Sequence, residues 1–117
     1  KVYTVVFFEK SSTEFHKYDD IFLHRSKQQT DSGLQIELLQ EYIFVALDIF
    51  KKYLHNRGVK KNNELEAWLT FLCEDSPEWI LKLIKAYPEF GELYEEIYGE
   101  DFNEVYEDMY KDIYGDM

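Results

Sequence analysis

The apolar residues of this 117-residue chain change their spacing near residue 63, and that change restricts the folds open to it. Before it, the chain carries short runs of β-branched and aromatic residues; after it, apolar residues recur every three or four positions. Short continuous or alternating runs suit strands, and a 3.6-residue period suits helices that bury one face. The expectation is an α+β chain: a small sheet of two to four strands within residues 2–50, then three or four helices from about 63 to 115. The length suits a single domain over 1–117, with 1–50 as its sheet part and 63–115 as its helical part.

Val2–Phe8 is the strongest strand candidate. With only Thr4 to interrupt it, the run reads as a strand buried on both faces in the middle of a sheet. It begins at residue 2, after a Lys rather than a Met, and a central strand needs neighbours on both sides. The sequence therefore leads us to expect the later part of a longer protein. Glu9–Asp20 reads as a loop. Ile21–Arg25 is a second strand, with Phe22 and His24 on one face and Ile21, Leu23 and Arg25 on the other. Lys27–Gly33 is a polar turn. Leu34–Leu39 alternates weakly, as a strand or an irregular lead-in. At Tyr42–Leu47 a helix competes with a strand, and the β-branched and aromatic content favours the strand. Phe50–Asn63 reads as a connection with one helical turn at its start.

Helix signals follow. Asn63 is an N-cap, and Glu66 stands where it can bond back to the cap, giving a helix over Glu64–Cys73 with an apolar face of Leu65, Trp68, Leu69, Phe71 and Leu72. Ser76 caps a second helix with Pro77 at its first position and Trp79, Ile80, Leu83, Ile84 and Tyr87 as its buried stripe. Pro88 stops it. From Leu93 to Asp116 the sequence repeats every four residues, roughly apolar, aromatic, polar, acidic. A period of four drifts by about 40° per quartet on an α-helix. One straight helix cannot keep such a stripe on one partner, so a break near Gly99–Asp101 is expected, with helices over Pro88–Tyr98 and Phe102–Tyr114. The stripe of Tyr94, Tyr98, Tyr106, Tyr110 and Tyr114 either packs onto the chain's own core or forms an interaction surface.

Ten Tyr, nine Phe and two Trp supply too much burial area for a disordered chain. The net charge of −11 is uneven. Residues 1–61 hold ten Lys/Arg against eight Asp/Glu, and residues 62–117 hold three against sixteen. The acidic half repels a nucleic-acid backbone, so it is a poor DNA contact. The basic residues Lys51, Lys52, Arg57, Lys60 and Lys61 come without a Gly-rich phosphate cradle and read as solvated surface. One cysteine, Cys73, excludes a disulfide framework and a cysteine metal cluster. No signal peptide and no long uncharged apolar stretch is visible, which points to a soluble, cytoplasmic chain without a membrane partner.

Constellations for chemistry are sparse. No phosphate loop, Gly-x-Ser-x-Gly, His-Glu-x-x-His or EF-hand spacing occurs. His16, His24 and His55 are scattered and read as surface or turn histidines. Asp19 and Asp20 read as a solvated turn rather than a cation site. No catalytic, cofactor-binding or metal-ligating residue is assigned. An acidic, Tyr-rich interaction or dimerisation module is the alternative reading of the whole.

Six stretches carry a family resemblance: Val2–Ser11 with Glu14-Phe15-His16-Lys17, Leu38–Tyr42 with Leu47–Lys52, and Glu64–Leu72 with Ala86–Phe90. Together they resemble the later half of the bacterial PD-(D/E)XK nuclease family transposases, related to the recombination-promoting nucleases. The resemblance covers about residues 2–98 and is one of running text rather than of a catalytic motif. The quartet repeat after Tyr98 departs from the family. In that fold a strand Asp and a Glu-x-Lys or Glu-x-Gln strand bind divalent metal, and a metal-activated water attacks the phosphodiester. The resemblance places those strands upstream of Val2–Phe8, so it carries no catalytic residue into this chain. It implies a non-catalytic C-terminal portion that completes the nuclease sheet. Its partners would be the upstream nuclease core, a second copy through Val2–Phe8 or the Tyr-rich helices, and DNA only through the parent. Mg²⁺ would belong to the intact parent alone.

Overall fold

A computed structural model describes residues 2–26, 30–34, 40–99 and 102–115. The architecture is α+β: a three-stranded mixed sheet followed by a mainly helical C-terminal region. The chain divides into two compact units, residues 1–53 and 54–117.

The first unit holds β1 (Val2–Phe8), the one-turn helix α1 (Thr13–His16), β2 (Leu23–Ser26), β3 (Gln40–Ala46) and the start of α2 (Leu47–Arg57). The strand order is β1-β3-β2, so β3 is the central strand. β1 runs parallel to β3, with Val2 opposite Gln40 and Phe8 opposite Ala46. β2 runs antiparallel to β3, with Leu23 opposite Val45 and Ser26 opposite Tyr42. The central position shows in burial: Val45 and Ala46 are buried, whereas Val2, Tyr3, Val5 and Phe7 of β1 are exposed.

Within this chain Val2–Phe8 is a marginal strand of the described sheet with one face exposed, as a strand whose second neighbour is expected upstream should be, and not a strand buried on both faces. Both faces of the run are apolar, so its composition cannot distinguish an edge strand from a central one. Thr4, Val6 and Phe8 are half-buried on one face, and Tyr3, Val5 and Phe7 point the other way. The half-buried face carries a cluster of rings. Phe15 of α1 packs on Phe8 (5.0 Å), on His24 (5.4 Å) and on Phe44 (6.5 Å), and Tyr42 stacks on Phe44 at 6.2 Å.

Residues 9–20 hold α1 rather than loop alone, and β2 starts at Leu23, two residues later than expected. Phe22 lies outside that strand and packs against Phe50 (5.0 Å) and Tyr53 (5.2 Å), while His24 meets Phe15 and Tyr18. The strand expected at Tyr42–Leu47 is present as β3, with Leu47 already in the next helix. The connection expected over Phe50–Asn63 is largely α2, three turns rather than one. Ile49, Phe50, Tyr53 and Leu54 have the spacing of a single helix face, and three of them are buried. The possible strand at Leu34–Leu39 falls almost wholly outside the described residues, as do the first residues of the Lys27–Gly33 turn.

The second unit holds the end of α2 and then α3 (Glu64–Cys73), α4 (Pro77–Ala86), α5 (Phe90–Tyr98) and α6 (Phe102–Tyr114). Ala67, Ile80, Leu83, Tyr87, Phe90 and Tyr94 form its core, and α6 adds Tyr106 and Met109 to the edge of it. The N-cap of α3 is built as expected and then extended. Asn63 Oδ1 accepts from the Glu66 N–H at 3.1 Å, and its amide donates to Glu66 Oε2 at 2.6 Å. Glu66 thus bonds the cap's side chain, and the Asn63 N–H instead donates to the Tyr87 hydroxyl at 2.8 Å. That hydroxyl in turn donates to the Lys60 carbonyl. One tyrosine therefore fastens the end of α4 to the start of α3.

Ser76 holds the N-cap position of α4 but makes no side-chain cap bond; Pro77 supplies the helix start. α5 ends at Gly99, whose φ of +78° favours glycine, and the rest of the expected break, residues 100 and 101, lies outside the described residues.

The largest difference concerns the buried face of α3. Of the apolar face read from the sequence, Leu69 is buried and Phe71 packs against the core, whereas Leu65, Trp68 and Leu72 are 53%, 48% and 51% exposed. Glu66, Ala67 and Thr70, outside that face, are buried beside Leu69. The two polar residues tolerate this because each is bonded locally, Glu66 to Asn63 and Thr70 Oγ1 to the Glu66 carbonyl at 2.7 Å.

Candidate functional site

Parallel pairing puts the carboxyl ends of β1 and β3 side by side, the place where open α/β sheets hold ligands. The chain leaving β1 runs through Glu9–Ser12 into α1, and the chain leaving β3 turns directly into α2. Ser11, His16 and Asp48 meet there. Asp48 accepts the Ser11 N–H at 2.9 Å and the Ser11 hydroxyl at 2.8 Å. It also takes the Ile49 N–H at 3.0 Å and faces His16 Nε2 at 3.1 Å. Burial pushes the Asp48 carboxyl up, but the bonds from Ser11, Ile49 and His16 outweigh it and hold the group below its ordinary 3.8.

The three residue types are those of a nucleophilic triad, but the connections differ. A relay needs one imidazole nitrogen on the serine and the other on the carboxylate. Here His16 Nε2 faces both the Ser11 hydroxyl, at 3.2 Å, and Asp48. The serine donates its proton to the carboxylate and is not activated. The arrangement works as a latch that pins the segment after β1 to the first turn of α2, where an acidic group also suits the helix dipole. Its contribution depends on pH. Because the folded carboxyl is held below 3.8, the latch stabilises fully above that value and weakens as pH falls through the lowered one. In acid titration, the stability difference between the wild type and Asp48→Asn is expected to shrink steadily below about pH 4.

The other candidates occupy separate settings. His24 has a buried Nε2 with no hydrogen-bond partner and lies among Phe15 and Tyr18. His55 bonds Glu74 in the helical unit. Asp19 and Asp20 are exposed in the turn after α1, and Cys73, half-buried, forms no disulfide. Lys51, Lys52, Arg57, Lys60 and Lys61 are all exposed. Among the described residues no group of three or more His, Cys, Asp or Glu is placed to hold a metal ion.

The tyrosine stripe is divided by the fold. Tyr94 is buried beside Phe71, at 5.2 Å, and burial pushes its hydroxyl up to about 12, with Tyr98 and Cys73 adding to the effect. Tyr106 and Tyr114 are half-buried. Tyr98 and Tyr110 are exposed, and an open groove of about 290 Å³ runs beside Tyr106, Glu107, Tyr110 and Lys111.

Two further apolar surfaces stand out: Tyr3, Val5 and Phe7 on β1, and Leu65, Trp68 and Leu72 on α3. The first lay inside the strand singled out from sequence. The second was assigned to the core, although Ala67 and Thr70 on the other side of α3 gave a signal, being small enough to let a neighbouring helix approach closely. None of the described helices is long and apolar enough to cross a membrane. No protein-family model, curated protein or solved structure matches the chain.

Proposed function

We propose that this chain is the non-catalytic C-terminal portion of a PD-(D/E)XK nuclease-like, transposase-family protein, acting in the cytoplasm. Its sheet adds to that of the nuclease core, and its helices offer a surface for assembly. DNA and Mg²⁺ would be engaged by the parent's upstream residues. One observation carries the reading: β1 lies at the margin of the sheet with Val5 and Phe7 each 45% exposed on one face. A β-branched and aromatic strand face at a sheet margin is an aggregation hazard unless another element covers it. An upstream core that packs on this face, or a second copy, removes the hazard.

The test is a Mg²⁺- or Mn²⁺-dependent DNA cleavage assay. It compares this chain with a version extended upstream through the native reading frame. Cleavage by the extended chain alone, lost on Val5→Glu with Phe7→Glu, is the expected result. Cleavage by this chain alone, or by neither, overturns the reading.

A second reading, an acidic Tyr-rich interaction module without nuclease context, is favoured by the exposure of Ile97 (61%), Tyr98 (44%) and Tyr110 (52%) in an acidic sequence. Under it, Tyr98→Ser with Tyr110→Ser abolishes self-association or partner binding and leaves the helical signal intact.

A further inference from the structure

We infer that the outward face of α3 is a docking strip for an amphipathic protein helix that carries basic residues at both ends of its apolar stripe. Leu65, Trp68 and Leu72 follow one another at spacings of three and four. That is the spacing of a seam between two packed helices, and it forms a straight apolar line of about 10 Å on a helix surface. The opposite face of α3 is already committed to the core through Ala67 and Thr70, and Leu69, which flanks the strip, is buried as well. Three of its bulky residues, Leu65, Trp68 and Leu72, are therefore turned to solvent.

Trp68 is the anchor of the strip. Phe90 packs on it at 4.9 Å and Phe71 at 5.9 Å, both edge-on, so the ring is held in place while about half of it stays accessible. A tryptophan fixed before binding, flanked by two leucines, has the character of a binding hot spot.

Charge selects the occupant. Exposed Glu64 stands immediately before the strip and exposed Asp75 three residues after it. The surrounding half of the chain has three basic residues against sixteen acidic ones. A second copy is disfavoured. Self-pairing of the strip would bring together two copies of an acidic half, each with three basic residues against sixteen acidic ones, and each copy carries −11. A helix with Lys or Arg at each end of a matching stripe meets both acids with opposite charge.

A 21-residue synthetic helix with Leu at the seam positions and Lys at both ends is the probe. It is titrated into a Trp79→Phe variant, so that Trp68 is the sole tryptophan. The expected result is a blue shift of Trp68 emission that weakens as salt rises. Leu65→Ser with Leu72→Ser should weaken binding at least tenfold with helical circular dichroism unchanged, since both side chains already face solvent. Glu64→Lys with Asp75→Lys should weaken it as well. Equal binding of a Glu-ended or scrambled peptide overturns the inference. So does loss of folding in the double-Ser variant, concentration-dependent dimerisation through Trp68, or a Trp68 shift produced by zwitterionic vesicles but not by the peptide.

Discussion

Phe90→Ala is expected to destabilise the helical unit by about 3–5 kcal/mol. Phe90 is 3% exposed and stands where α3, the end of α4 and α5 meet. Its ring meets Trp68 at 4.9 Å, Phe71 at 5.7 Å and Tyr87 at 6.2 Å. Removing it takes away the burial of a large ring and leaves a cavity among other rings, which cannot collapse without leaving their own rotamers. Domains of this size have about 5–15 kcal/mol in total, so the loss is a large share. Urea unfolding followed by circular dichroism checks it: a loss under 1 kcal/mol would mean that the neighbouring rings close the gap. Phe90→Leu, which keeps most of the volume, should recover more than half of the loss.

His55→Ala is the second large effect, with an expected cost of about 2–3 kcal/mol. Glu74 caps the C-terminus of α3 with its carboxylate only 3% exposed. His55, from the last turn of α2, bonds that carboxylate through Nε2. The same imidazole stacks on Trp79 at 4.7 Å and 2°, and Lys82 Nζ lies 4.4 Å from the centre of the Trp79 ring. Truncating His55 removes the partner of a buried charge and also the stacked ring. A second substitution separates the two losses. In the His55→Ala background, Glu74→Gln replaces a buried carboxylate by a neutral amide and should recover a large part of the stability. If it recovers nothing, the stack on Trp79 rather than the charge accounts for the cost.

The elements most legible in the sequence are those whose ends are chemically marked. Asn63 with Glu66 and Ser76 with Pro77 place the starts of α3 and α4, and both helices begin there. Pro88 and Gly99 bracket α5 in the same way. Faces were harder to read, because a pattern records where apolar residues fall but not which of two apolar sides is buried. α3 has Leu65, Trp68 and Leu72 on one side, Ala67 on the other and Leu69 between them. The choice was made by small size and by local bonds to Glu66 and Thr70, neither of which hydropathy registers. β1 has the same ambiguity between edge and centre.

α2 was readable in part. Ile49, Phe50, Tyr53 and Leu54 repeat at helical spacing, but the lysines and asparagines between and after them suggest a connection. The meeting of Ser11, His16 and Asp48 was not readable at all. Ser11 and His16 lie 37 and 32 residues from Asp48, and only the parallel register of β1 on β3 brings them together.

That register also dictates an order of events during synthesis and folding. β1 and β2 both pair with β3 and not with each other, and β3 is the last of the three to leave the ribosome. Neither earlier strand has a ladder to join until residues 40–46 arrive, so the sheet forms in one late step that closes a loop of more than thirty residues. The helices after residue 63 follow one another closely, and their contacts, between successive helices and between α4 and α6, span less chain than the pairing of β1 with β3 and close faster. In refolding from urea, helical signal should therefore return before the Phe8–Phe15–Phe44 ring cluster is assembled. During that interval the edge of Val2–Phe8 that β3 later pairs is open, and crowding or slow elongation near residue 40 would decide how much of the chain escapes aggregation.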